Sequence, residues 1–258
     1  MGRKQVDYDR IAATYDRRFA TGDTGDVAEA LFNLGRSLSP TRILEAGCGT
    51  GRWLAALRPL GSRVYGLDLS GGMLARAQQR QGLRRLVRGR AGCLPFPTGT
   101  LDLVYCVNAI HHFKSPREFV FEARRLLHPG GALSVSTMDP RQLRGRWYVY
   151  DYFAGTYETD LARFPSWGTI LDWMAAAGFQ RIQWQPVDQI VDTKVGRAVL
   201  DDYFLKKEAC SQLTLLSDEE YQAGLRRIEA ALAGAKARGE TITFPVDLFL
   251  AMVVGWVD

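Results

Sequence analysis

Histidine and cysteine are scarce in this chain, with three histidines and four cysteines among 258 residues. Cys48, Cys93, Cys106 and Cys210 lie far apart and show no paired metal-ligand spacing. That argues against a disulfide framework and a cysteine-based metal site, and for free thiols in a reducing compartment. No clustered set of histidine, cysteine and carboxylate stands out either, so no metal is expected. Apolar runs fall short of a bilayer span and the first residues lack a signal-peptide core, which predicts a cytoplasmic protein. Internal repeats and low-complexity stretches are also missing. The length suffices to bury one large core without disulfide or metal. Thirty-three basic against 28 acidic residues give a net +5. The excess is mostly arginine, spread widely with acids interleaved, as on a solvated face rather than a nucleic-acid surface. Two clusters, Arg80-Arg84-Arg85-Arg88-Arg90 and Arg141-Arg144-Arg146, are the exceptions.

The richest local signal is Leu44-Glu45-Ala46-Gly47-Cys48-Gly49-Thr50-Gly51, a glycine turn between the apolar stretch Arg42-Ile43-Leu44 and a helical pattern over Arg52 to Leu57. Such a turn lets backbone approach a ligand, and the helix after it offers unpaired N–H groups. Asp68 ends a second apolar run, Arg63 to Leu67, at the distance at which a βαβ unit sets an acid beside a ribose. Strand patterns over 42–46, 63–67, 86–89, 101–107, 132–137, 181–186 and 243–255 alternate with helical ones over 52–57, 71–81 and 115–127. This alternation predicts a parallel sheet covered on both faces. His128-Pro129-Gly130-Gly131 is expected to stop the third of these helices and turn the chain into a strand.

Five segments in this order resemble the class I S-adenosylmethionine-dependent methyltransferases, in particular the ubiquinone- and menaquinone-methyltransferase-like small-molecule group. They are the glycine turn; Gly66 to Ser70 with Met73-Leu74; Gly89-Arg90-Ala91-Gly92-Cys93-Leu94-Pro95-Phe96; Asp102 to Phe113 with its Asn108-Ala109-Ile110-His111-His112; and Leu126 to Gly131. Tyr8-Asp9-Arg10-Ile11-Ala12-Ala13-Thr14-Tyr15-Asp16 is similar to the group's leading helix. The resemblance implies a Rossmann-like, doubly wound α/β fold with a seven-stranded, mostly parallel sheet and helical insertions. It implies S-adenosyl-L-methionine as cofactor and methyl transfer by in-line SN2 displacement to a small, aromatic or apolar acceptor. By the same resemblance Glu45 orients the methionine end, Gly47 and Gly49 allow close approach, and Asp68 accepts from the ribose hydroxyls with Leu69 beside it. Met73 touches adenine or is ordinary core, Ala91 and Gly92 border adenine through backbone, Asn108 lines the methionine portion, and Tyr15 covers the site. One position departs from the pattern: relatives usually carry an adenine-reading aspartate where this chain has Arg90, and arginine has donors only. His111 and His112, just beyond the fourth strand, are the candidate bases, with packing in a family turn as the alternative for both.

Read as one domain over 1–258, the chain divides into an N-terminal helical cap (1–35), a cofactor-binding core (36–138), an aromatic-rich insertion (139–165) and a helical insertion (188–241). Tyr148 and Tyr152 of the ring-rich segment are expected to contact the acceptor, unless these rings merely pack the insertion. In the second insertion Ser217 and Glu220 read as a capping box before the apolar positions Tyr221, Leu225, Ile228 and Leu232. A lid and a homodimer contact are equal explanations of that helix. The competing functions are an RNA or protein methyltransferase and a non-catalytic S-adenosylmethionine-binding protein. An appended RNA-binding module and the catalytic tetrapeptide of nucleic-acid N-methyltransferases are both absent, which favours the small-molecule reading.

Overall fold

A computed structural model describes residues 5–19, 25–80, 82–143 and 145–258. The expected helix end at Gln81 and the clustered Arg144 lie outside the described residues. Seven strands are present: β1 Arg42–Ala46, β2 Arg63–Asp68, β3 Leu86–Arg88, β4 Leu101–Val107, β5 Leu127–Thr137, β6 Gln180–Val195 and β7 Thr243–Trp256. The α-helices are α1 Tyr8–Ile11, α2 Gly25–Leu38, α3 Arg52–Leu57, α4 Gly71–Gln78, α5 Pro116–Leu126, α6 Tyr148–Tyr152, α7 Thr156–Arg163, α8 Trp167–Ala176, α9 Ser211–Thr214 and α10 Asp218–Ala237.

The sheet order is β3-β2-β1-β4-β5-β7-β6. Pairs β1–β2, β2–β3, β1–β4 and β4–β5 are parallel, while β5–β7 is antiparallel. Strand order reverses between β1 and β4, and in such sheets the crevice outside the strands' carboxyl ends at that switch point receives ligands. The parallel strands are apolar on both faces because helices cover both. On β1 the alternation is direct: Ile43 joins one buried cluster with Leu54, Leu57 and Leu103, and Leu44 the other with Val104, Phe119 and Leu133.

The chain divides into two compact units. Among the described residues, the larger comprises Asp7–Met138, Pro165–Asp188 and Leu250–Asp258, and the smaller is built on Asp139–Phe164 and Gln189–Phe249. The smaller unit has its own apolar cluster, built on Trp147, Tyr148, Phe153, Leu213, Ile228 and Phe244. It also holds a buried polar network. Asp160 accepts from the Tyr150 hydroxyl at 2.8 Å and from Gln212 Nε2 at 2.5 Å, and pairs with Arg163. Burial pushes the Asp160 carboxyl up and Arg163 opposes that; a charge so enclosed persists only with such partners.

The capping box expected in the second insertion is present. Glu220 N–H donates to Ser217 Oγ at 3.1 Å, and Ser217 N–H to Glu220 Oε2 at 2.7 Å, an arrangement worth about 1 kcal/mol. β6 runs well past Pro186, where the proline suggested an end. It is the outermost strand of the order, and an edge strand tolerates a residue without N–H. The second insertion, expected from 188, therefore begins within this strand.

Candidate active site

Gly47 and Gly49 both adopt left-handed backbone, φ 73 and 51, yet they serve different ends. A β-carbon on Gly47 would stand 2.5 Å from Ala109 Cβ and 3.2 Å from Phe113 Cε1. Its bareness therefore admits Ala109 and Phe113, which follow β4. Around Gly49 nothing lies within 4 Å of such a carbon, so backbone faces open space there. The turn is held from below, with Gly47 and Cys48 donating their N–H groups to Leu67 O at 2.7 and 3.0 Å.

Asp68 ends β2 beside this turn. Its Oδ2 accepts Gly49 N–H at 2.8 Å and its Oδ1 accepts Ser70 N–H at 2.9 Å. Burial raises its pKa, and these N–H groups work against the rise. The carboxylate keeps acceptor capacity for a further donor. Leu69, the next residue, is 58% exposed, a large apolar side chain left bare at the carboxyl edge. Ser70 caps α4 by accepting Met73 N–H at 3.0 Å. Met73 itself is 1% exposed, so it is core, and the alternative of a ring contact finds no surface.

Glu45 has no exposed surface. Its Oε2 accepts from the Tyr105 hydroxyl at 3.1 Å, while its Oε1 is buried without a hydrogen bond. Burial pushes its pKa well up, with Asp68 adding to the rise. Whatever Glu45 contributes to a methionine end, it contributes from behind the glycine turn and not as an exposed anion.

Beyond β4, Asn108 is exposed and has φ 47, a strained value for a side-chain-bearing residue. The short 3₁₀ turn Ile110–His112 follows. His111 is 6% exposed and its ring lies 3.9 Å from that of His112. His112 is half-buried, and its Nε2 lies 2.6 Å from the Tyr8 hydroxyl. Of the two candidate bases, His112 has the more surface to offer. Tyr15 is half-buried and meets Tyr8 edge to face at 5.9 Å.

The N-terminal segment is pinned to three loops of this edge. Asp9 Oδ1 accepts from Ser70 Oγ at 2.7 Å and from Gly72 N–H at 2.6 Å. Asp16 accepts from Thr50 Oγ1 at 2.6 Å and pairs with Arg80 at 3.1 Å. Tyr8 meets His112, as above. Sequence reasoning named Tyr15 and missed Tyr8, Asp9 and Asp16. The signal was the Tyr-Asp pair at 8–9 repeated at 15–16, once in α1 and once in the 3₁₀ turn Tyr15–Phe19.

Ala91 is buried and Gly92 half-buried in the turn after β3, while Arg90 is exposed and forms no ion pair among the described residues. Tyr148 and Tyr152 belong to the smaller unit. Tyr148 is fully buried there and donates to Asp202 Oδ2 at 2.9 Å, so it packs that unit and has no free face for an acceptor. Tyr152 is half-buried against Phe244 at 5.2 Å. Among the described residues no group of three or more histidine, cysteine or acidic side chains could hold a metal, and no helix is long and apolar enough to cross a membrane.

A family profile described as a methyltransferase domain matches residues 44–135. The malonyl-acyl-carrier-protein O-methyltransferase of Serratia marcescens is 33% identical over 131 residues, 51% of this chain and 51% of its own. The enzyme of that name from Legionella pneumophila is 36% identical over 131 residues, 47% of this chain and 45% of its own. The chain thus spans about half the length of the curated relatives it matches. Among solved structures, the YcgJ protein of Bacillus subtilis shares the fold, with a TM-score of 0.61 at 19% identity over 89% of this chain and 97% of that one. The matched span holds the glycine turn, the acid that ends β2 and the edge from Asn108 to Phe113, and over that span the chain is similar to a methyltransferase domain and to the methyltransferases named above.

Proposed function

We propose that this chain binds S-adenosylmethionine at the carboxyl edge of β1, β2 and β4 and transfers its methyl group to a small, apolar or aromatic molecule. One observation carries the reading. Gly49 presents bare backbone to open space, held there by an Asp68 carboxylate that retains acceptor capacity, with Leu69 exposed beside it. Such a set fits a nucleoside: ribose hydroxyls on the carboxylate, an apolar side chain against the base, and bare backbone alongside the sugar. The buried, unpaired Glu45 Oε1 adds a polar wall behind the turn.

When bound, the cofactor supplies an electrophilic methyl on a sulfonium. The chain's own share is to hold the acceptor in line and keep water out. His112 is the group to take a proton from an acceptor that must lose one. It is half-buried at the edge, and its Nε2 is held by the Tyr8 hydroxyl. The two relatives above are named for O-methylation, which supports an oxygen acceptor.

Calorimetric titration with S-adenosylhomocysteine and, separately, NAD tests the cofactor. The first is expected to bind and the second not, and the reverse result overturns the reading. Incubation with isotope-labelled S-adenosylmethionine and a metabolite extract, read by mass spectrometry, then identifies the acceptor.

A further inference from the structure

Arg90 stands where an acceptor for the adenine amino group is expected, and it cannot accept. The surrounding turn offers little else. The Arg90 carbonyl already receives Cys93 N–H at 3.1 Å. The nearby acids are mostly committed. Glu122 Oε2 accepts Leu94 N–H at 2.8 Å and Arg125 Nη2 at 2.8 Å, while its Oε1 takes Arg125 Nε at 2.7 Å. Asp9 is held by Ser70 and Gly72, both donating to its Oδ1. Asp68 lies on the ribose side of the turn.

One carboxylate stands against the turn itself. Glu118 sits in the first turn of α5, where acidic side chains complement the helix dipole. It is exposed, with no hydrogen bond or ion pair among the described residues, and its neighbour Arg117 is turned away over the Phe121 ring at 4.6 Å. A β-carbon built on Gly92 would stand 3.1 Å from Glu118 Oε2 and 3.6 Å from Glu118 Cβ. The glycine thus leaves room for this carboxylate against the backbone of the Ala91-Gly92 turn.

We infer that Glu118, brought by α5 against Gly92, accepts the hydrogen bond from the exocyclic amino group of adenine and replaces the acid that Arg90 displaced. The inference rests on the cofactor reading above. Arg90 and Gly92 then act together: the first removes an acceptor, and the second leaves room for one from another element. Glu118 acts as a binding and specificity residue with no part in the transfer itself.

The test compares S-adenosylhomocysteine with its analogue carrying hydrogen in place of the six-amino group, by calorimetry on the full chain. The wild type is expected to bind the amino form about tenfold tighter, the low end for a hydrogen bond to a charged but exposed acceptor. In Glu118→Ala the two ligands should bind alike, and Glu118→Gln, which keeps a neutral acceptor, should fall between. Full discrimination retained in Glu118→Ala overturns the assignment while leaving the cofactor reading intact. Failure of the wild type to bind either ligand overturns the cofactor reading and this inference with it.

Discussion

Two glycines that look alike in sequence separate once their neighbours are known. Gly47→Ala drives a methyl into Ala109, costing about 1–3 kcal/mol by overpacking on top of roughly 1–2 kcal/mol for left-handed backbone. Gly49→Ala meets open space and costs only the backbone term, roughly 1–2 kcal/mol. Thermal melts should therefore show Gly47→Ala as the less stable variant. Titration should show Gly49→Ala losing more S-adenosylhomocysteine affinity than its stability loss explains, and unchanged affinity would mean that the ligand does not pass over this turn. Asp68→Ala removes a charged acceptor, and a ten- to hundredfold weaker affinity is expected. Part of that loss belongs to the turn, because Gly49 N–H loses its partner too. At this scale the sequence singled out an acid and a glycine turn that the structure joins through the Gly49 N–H to Asp68 bond. It could not separate packing from ligand at Gly47 or Met73, because Ala109 and the rest of the larger unit reach them through tertiary contacts that no local pattern encodes.

Elements with a strong period were legible to the residue: β1, β4 and α3 have the bounds expected. Those that depend on sheet position were not, as β6 shows by continuing through Pro186 at the edge. The N-terminal segment shows the same limit. Its partners lie 34 to 104 residues away, and periodicity carries no information about them. Its anchors are side-chain bonds at the surface, so the segment should open locally more easily than the sheet. Asp16→Ala removes a part-exposed ion pair with Arg80 and the partner of the buried Thr50 hydroxyl, and should cost only about 1–3 kcal/mol in global stability. Hydrogen exchange should nevertheless quicken over residues 7–17 and around Thr50, and S-adenosylhomocysteine should dissociate faster. Exchange unchanged in both stretches would show that Asp16 does not hold the segment.

For the molecule as a whole, the ring-rich and helical stretches that sequence marks as insertions are gathered with the ends of β6 and β7 into one compact unit, a grouping set by burial among distant residues. The sheet's opposite edge carries a device that titrates. His128 Nε2 lies 2.5 Å from Asp102 Oδ1, and Asp102 also receives the N–H groups of Thr41 and Arg42 at 3.0 and 2.7 Å, so one carboxylate ties the starts of β1, β4 and β5. The hydrogen bond to Asp102 raises the His128 pKa, helped by the Pro129 carbonyl. Burial pushes Asp102 up, but its bonds from His128, Arg42 and Thr41 outweigh that and leave it lowered. A raised histidine contributes stability that is full below its unfolded pKa and disappears as pH climbs through the folded one. A lowered aspartate contributes stability that is full above its unfolded value and disappears as pH falls through the folded one. The pair should thus stabilise most between about pH 4 and about pH 6.5. His128 has 39% of its side chain exposed, so solvent screens the effect and the expected amplitude is modest. Melting temperatures of the wild type and His128→Gln should differ most near pH 5, with the gap closing toward pH 9. A gap of constant size across that range would mean that His128 contributes by packing alone, without charge.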